Sequence, residues 1–131
     1  MWQKPATWQP QVVVVGLGTN DFSTPLNPGE RWATQEELVA DYESAYHGFL
    51  DTLRTRYGPE TFLVLSASSF GDIIQRIVQD RNAQGDDRVT DLDYGNAPLD
   101  LLGCDWHPSA NDHRILSGLL GDRLAGLPIA W

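Results

Sequence analysis

The sequence predicts an α/β fold in three layers, a parallel sheet with helices on both faces, present as a C-terminal part of a larger domain. Three observations carry that expectation. Val12-Val13-Val14-Val15 and Phe62-Leu63-Val64-Leu65 are short apolar runs without polar alternation, as in strands buried on both faces. Each run is followed by a stretch with apolar residues at helical spacing. The resulting order, β-α-β-α-β-loop-α, calls for parallel strands joined by right-handed crossovers. Three strands make a thin sheet, and an outer strand as apolar as Val12 to Val15 leaves an adhesive edge unless another strand pairs with it. More strands are therefore expected upstream.

The first ten residues, rich in Trp, Gln and Pro, read as an entering loop. The first strand ends in Gly16-Leu17-Gly18, which permits a tight turn. A long loop rich in Pro, Gly and Asn follows from Phe22 to Trp32. Thr34 with Glu37 three residues later is a capping-box signature, and Leu38, Tyr42, Ala45, Tyr46, Phe49, Leu50 and Leu53 continue as a helix. That helix is expected to stop near Tyr57, before Gly58-Pro59. After the second strand, Ser66 to Ser69 read as a loop. Ile73, Ile74, Ile77 and Val78 mark the next helix, ending near Gly85. Arg88 to Asp93 is a more polar third strand. A loop from Tyr94 to His107 leads to a last helix with Ile115, Leu116, Leu119, Leu120 and Leu124 along one face.

At 131 residues the chain is one domain on length alone, and the missing strands make it a single partial domain over 1–131. Its net charge of -9, with only nine scattered Lys and Arg, argues against nucleic acid and anionic membrane surfaces as partners. No apolar run approaches the roughly 20 residues that span a bilayer. Met1-Trp2-Gln3-Lys4-Pro5 lacks the shape of a signal peptide. The single cysteine, Cys104, cannot form an internal disulfide, so the redox compartment is not legible; a small buried role suits it. The carboxylates show no His or Cys spacing of a metal site, and no cofactor is implied.

Two short stretches sit where open α/β sheets place their ligands, after the carboxyl ends of strands. In Gly18-Thr19-Asn20-Asp21, the amide of Asn20 can point an N–H donor into a cleft and stabilise the oxyanion of an acyl-transfer intermediate. Asn20 and Asp21 are equally suited to shaping a turn. In Cys104-Asp105-Trp106-His107-Pro108-Ser109, His107 lies on a loop with a carboxylate two residues away, an arrangement suited to a general base. A plain surface role fits a lone histidine as well. Ser109 reads as the N-cap of the last helix. His47 and His113, both on expected helices, read as structural or solvent-facing.

Taken together, Val12 to Phe22 resembles the Gly-x-Asn-Asp block of the SGNH hydrolases, and Asp105 to Ser109 resembles their final block with its catalytic histidine. The wording GTNDFST and GCDWHPS is similar to the carbohydrate esterase family 2 branch, which deacetylates O-acetylated plant-wall polysaccharides. The resemblance implies a flavodoxin-like SGNH fold, secreted or periplasmic placement, and an acetylated carbohydrate or other small ester as substrate. It implies that Asn20 donates to the oxyanion and that His107 moves the proton between serine and leaving group. Gly18 and Asp21, of the same block, are expected to help bind the substrate. Trp106 is placed to offer a flat apolar face to a sugar, although a packing role suits it too. The family's carboxylate usually stands three residues before the histidine; Cys104 occupies that place, so Asp105 or a backbone carbonyl would orient His107.

The family's Gly-Asp-Ser block does not occur in this chain. Ser68-Ser69-Phe70-Gly71-Asp72 echoes it only in reverse, and these serines read as a loop that caps the following helix. The expected activity is therefore that of a serine ester hydrolase whose nucleophile comes from an upstream segment or a partner chain. The competing expectations are a non-catalytic carbohydrate-binding remnant, with Trp32 and Trp106 stacking on sugars, and a half-domain that complements another chain. The isolated chain is expected to be marginally stable or prone to aggregate.

Overall fold

A computed structural model describes residues 8–129. The N-terminal stretch read for a signal peptide, and most of the entering loop, lie outside them. Strands β1 (Val12–Val15), β2 (Phe62–Ala67) and β3 (Val89–Asp93) form a parallel sheet in the order β1-β2-β3. Val12 pairs with Phe62, and Leu63 with Val89. Between them run helices α1 (Thr19–Phe22), α2 (Gln35–Tyr57) and α3 (Gly71–Ala83), and α4 (Ala110–Ala125) closes the chain.

Side chains alternate across a strand, and that period sorts this sheet into two faces. Val15, Leu63, Leu65, Ala67 and Val89 join Leu50 and Leu53 of α2 and Ile73, Ile74 and Ile77 of α3 in the core. On the opposite face, Val14, Ser66 and Leu92 meet Leu116, Leu119 and Leu120 of α4 around a small groove. Helices thus cover both faces, as the three-layer expectation requires. The apolar residues of α4 are only half-buried, however, and Val14 of β1 remains 44% exposed.

Local chemistry explains the helix ends. Thr34 Oγ1 accepts the Glu37 N–H, and the Glu37 carboxylate accepts the Ala33 N–H. At the other end Gly58, with φ +81°, turns the chain back and donates its N–H to Arg54 O. Beneath the amino ends of β2 and β3, Asp86 takes Arg54 in a two-bond fork of 2.7 and 3.0 Å and Arg81 at 2.9 Å. Burial pushes the Asp86 carboxyl up, but the two guanidiniums outweigh it and hold it below the usual carboxylate range. Arg54 also donates to Thr61 O at 2.6 Å, so one side chain ties α2 to the start of β2.

Several details differ from the sequence expectation, among them the single turn of α1 where a plain turn was expected. β2 continues through Ser66 and Ala67, because β3 offers Leu92 and Asp93 as pairing partners. Ser68 and Ser69 do not cap α3; Phe70 occupies the cap position without a side-chain bond. On α2, Ala45 and Phe49 lie exposed although they share its apolar spacing. With Leu17, 50% exposed, they leave apolar surface beside β1, which pairs only with β2 among the described residues. Nearby, the Tyr46 hydroxyl is buried with no hydrogen-bond partner among the described residues.

Candidate active site

The loop after β1 is held by aromatic packing. Gly18 has φ +116°, and a Cβ there would stand 2.5 Å from Tyr42 Oη and 2.9 Å from the Phe70 ring. Only glycine meets both constraints. Tyr42 Oη donates to Leu17 O at 2.8 Å, while Phe22 packs against Tyr42 and Phe70 at 4.9 and 5.3 Å between ring centres. Burial, followed by proximity to Tyr46 and Asp21, pushes the Tyr42 phenol well above its usual range, so it stays a neutral donor. The Asp21 and Phe22 N–H groups donate to Gly18 O and close a single helical turn. Asn20 sits on that turn with its side chain exposed.

The second half of the site lies on the loop between β3 and α4. Tyr94 N–H donates to Ala67 O as the chain leaves the sheet. Further on, Cys104–Trp106 form a short 3-10 turn. Leu101, Asp105 and Trp106 hold φ of +51°, +52° and +62°, each costing on the order of 1 kcal/mol for a residue with a side chain. Gly103 fits where a Cβ would lie 2.5 Å from His107 O. Cys104 is exposed, not buried as its composition alone implied.

That turn fixes the imidazole. Cys104 O accepts the His107 backbone N–H at 3.1 Å and lies 2.9 Å from Nδ1 of the same residue. A carbonyl oxygen only accepts, so Nδ1 carries the proton and the neutral ring keeps its lone pair on Nε2. No hydrogen bond joins the Asp105 carboxylate to the ring among the described residues. Of the two orienting partners left open by the sequence, the structure supplies the carbonyl.

The loop itself is tied by Asp112, whose side chain is fully buried at the start of α4. Its Oδ1 accepts Asp100 N–H at 2.7 Å, and its Oδ2 accepts Leu101 N–H and Ser109 N–H, both at 2.9 Å. Burial raises this carboxyl, but the Ser109, Asp100 and Leu101 N–H groups and the Asp100 side chain outweigh it and hold it down to about 2. Ser109 Oγ accepts the Asp112 N–H in return, completing a capping box. Sequence reading found Ser109 as the cap and missed Asp112. The Ser109-x-x-Asp112 spacing was the available signal.

One open cleft of about 750 Å³ brings Asn20 together with Asp105, Trp106 and His107, and Trp106 is 82% exposed at its rim. Ser68 and Ser69, which the sequence set aside, line it too. Gly18 and Asp21 line a neighbouring hollow of about 470 Å³ with Tyr42 and Tyr46. Trp32 is elsewhere, donating its Nε1–H to Asp41 and lining a separate groove. His47 lies 3.8 Å from Asp80, and His113 is exposed on α4. Among the described residues no three His, Cys, Asp or Glu side chains gather as a metal ion would need. No helix among them is long and apolar enough to cross a membrane.

Comparison with known proteins gives a consistent result. The chain is 42% identical over 117 residues to an acetylxylan esterase/glucomannan deacetylase of Cellvibrio japonicus, covering 86% of this chain and 32% of that protein. It is 28% identical over 117 residues to the cellulase/esterase CelE of Acetivibrio thermocellus, covering 82% of this chain and 13% of that one. A solved structure of a carbohydrate esterase, whose active site is described as displaying divergent catalytic and non-catalytic binding functions, superposes with a TM-score of 0.86 at 38% identity. That match covers 98% of this chain and 40% of the other. The chain thus spans a third or less of the curated relatives it matches. Residues 1–119 match the GDSL-like lipase/acylhydrolase family, and the chain belongs to that family.

Proposed function

We propose that the chain supplies the oxyanion-binding and general-base half of a serine ester hydrolase that deacetylates an O-acetylated carbohydrate. The observation that carries this reading is the pairing in one cleft of Asn20 with a His107 whose Nδ1–H is committed to Cys104 O. In this reading, Nε2 of His107 takes the proton of a serine hydroxyl as that oxygen attacks the acetyl carbonyl. The tetrahedral oxyanion accepts an N–H from the Asn20 amide. Collapse of the intermediate returns the proton to the sugar oxygen, and water then releases acetate by the same route in reverse. The Cys104 carbonyl orients the base in the role that a carboxylate fills in a triad. Trp106 offers an aromatic face to the sugar, and Gly18 with Asp21 shapes the turn that presents Asn20.

The serine would come from an upstream segment or a partner chain carrying a Gly-Asp-Ser block. Three features beside β1 support that part of the reading: among the described residues its outer edge has no strand partner, Leu17 and Phe49 are exposed, and the Tyr46 hydroxyl has no hydrogen-bond partner. A single partial domain over 1–131 is the organisation that follows. A carbohydrate-binding remnant is the second reading, favoured by the open cleft with Trp106 so exposed at its rim.

Affinity electrophoresis in acetylated xylan, run beside an acetate-release assay, separates the two. Retardation without acetate, with and without a polypeptide carrying the serine block, favours the remnant. Acetate release only in the mixture, lost with His107→Ala, supports the hydrolase. No nucleic-acid or membrane partner forms part of either reading.

A further inference from the structure

We propose that Asp112 is a positioning residue for His107: its buried carboxylate clamps both ends of the 100–109 segment that carries the base and so holds the imidazole in its Nδ1–H form. The inference rests on the reading of His107 as general base, but its geometry stands apart from that reading. Asp112 gathers N–H groups from Asp100 and Leu101 at the start of that segment and from Ser109 at its end. The anchor Leu101, and Asp105 and Trp106 between the anchors, are each at positive φ. Backbone in that region persists only where its surroundings over-determine it. The Gly103 N–H bond to His107 O and the bond from His107 to Cys104 O both lie inside the clamped span. Asp112 touches neither the cleft nor the ring, so it acts through the loop.

A helix cap alone would leave the ring indifferent to this carboxylate, and that difference makes the idea testable. Imidazole nitrogen NMR of the full chain reads the His107 tautomer directly. Wild type should show a single Nδ1–H form. Asp112→Asn keeps shape but loses one accepting oxygen, and should give a mixture of tautomers or exchange-broadened nitrogens. Asp112→Glu keeps a good capping residue at that helix position while moving the carboxylate off the loop, and should do the same. Ser109→Ala weakens the cap yet spares the clamp, and should leave the ring in its Nδ1–H form. An unchanged tautomer in whichever Asp112 variant folds would overturn the proposal, as would a Ser109→Ala effect equal to that of Asp112→Asn. In the wild-type chain, the Asp100, Leu101 and Ser109 amides should exchange as slowly as the interior of α4; exchange at the rate of an open loop would also overturn it. With the serine block supplied, Asp112→Asn should lower kcat on the order of 10²-fold with KM little changed. Intact tautomer effects with no acetate release under any condition would remove the hydrolase reading and leave the positioning role standing.

Discussion

The state of the His107 ring is decided by an oxygen that cannot donate. Because Cys104 O faces Nδ1, Nε2 is left as the basic atom, and no carboxylate need touch the ring to choose the tautomer. Asp105→Ala in a serine-complemented preparation should therefore cost little, within roughly threefold in acetate release, whereas His107→Ala should cost at least about 10²-fold. Asn20→Ala should lower the rate by about 10²- to 10³-fold while leaving the fold intact, since its side chain is exposed. Near-equal losses for Asp105→Ala and His107→Ala would reinstate the carboxylate as the orienting group. At this scale Asn20 and His107 were legible because each lies in a short motif of fixed wording. The choice between Asp105 and the Cys104 carbonyl was not, because it depends on a 3-10 turn built from residues whose positive φ leaves no trace in residue type.

Elements here are positioned by a few close contacts rather than by propensity. Gly18 shows this most clearly: its backbone is left-handed and its Cβ position is already occupied by Tyr42 and Phe70. Gly18→Ala should destabilise the chain by about 1–3 kcal/mol in urea denaturation, whereas Gly48→Ala, in open space within α2, should be neutral or stabilising. A neutral Gly18→Ala would show that the turn carrying Asn20 shifts freely. The long helix α2 was readable from its Thr34 and Glu37 cap and its Gly58 stop, since those signals are local. The extension of β2 through Ser66 and Ala67 was not, because it depends on pairing with β3; nor was the cap of α3, which falls on Phe70 and uses no side-chain bond. The capping role of Asp112 was open to reading from its spacing to Ser109, but its bonds to Asp100 and Leu101 form only in the fold.

The whole molecule is a sheet with one well-made side and one open one. Asp86 ties α2, the α3–β3 connection and the start of β2 together through Arg54 and Arg81. A carboxyl held below its unfolded range contributes stability that is present above roughly pH 4 and is lost as pH falls through the folded value. Urea midpoints should thus decline below about pH 4, and Asp86→Asn should lower the midpoint at pH 7 while flattening that acid decline. An acid limb unchanged by Asp86→Asn would place the titrating group elsewhere. Val14→Lys should reduce self-association of the isolated chain in sedimentation velocity, because a charge on an edge strand opposes edge-to-edge pairing. A wild-type chain that is monomeric with a sharp cooperative thermal transition would contradict the open-edge account. The thin sheet with β1 at its edge was visible in the sequence as soon as three strands were counted. The exposure of Ala45 and Phe49 was not, since helical spacing marks an apolar face without saying what covers it.

The central claim, that this chain brings an oxyanion donor and a general base to a serine held elsewhere, is tested most directly by acetate release from acetylated xylan. The chain would be assayed alone, mixed with a polypeptide carrying the Gly-Asp-Ser block, and mixed again as His107→Ala. Acetate release that appears only in the mixture and vanishes with His107→Ala is the predicted result. Release that survives His107→Ala, or its absence from a mixture that forms a stable complex, would contradict the claim.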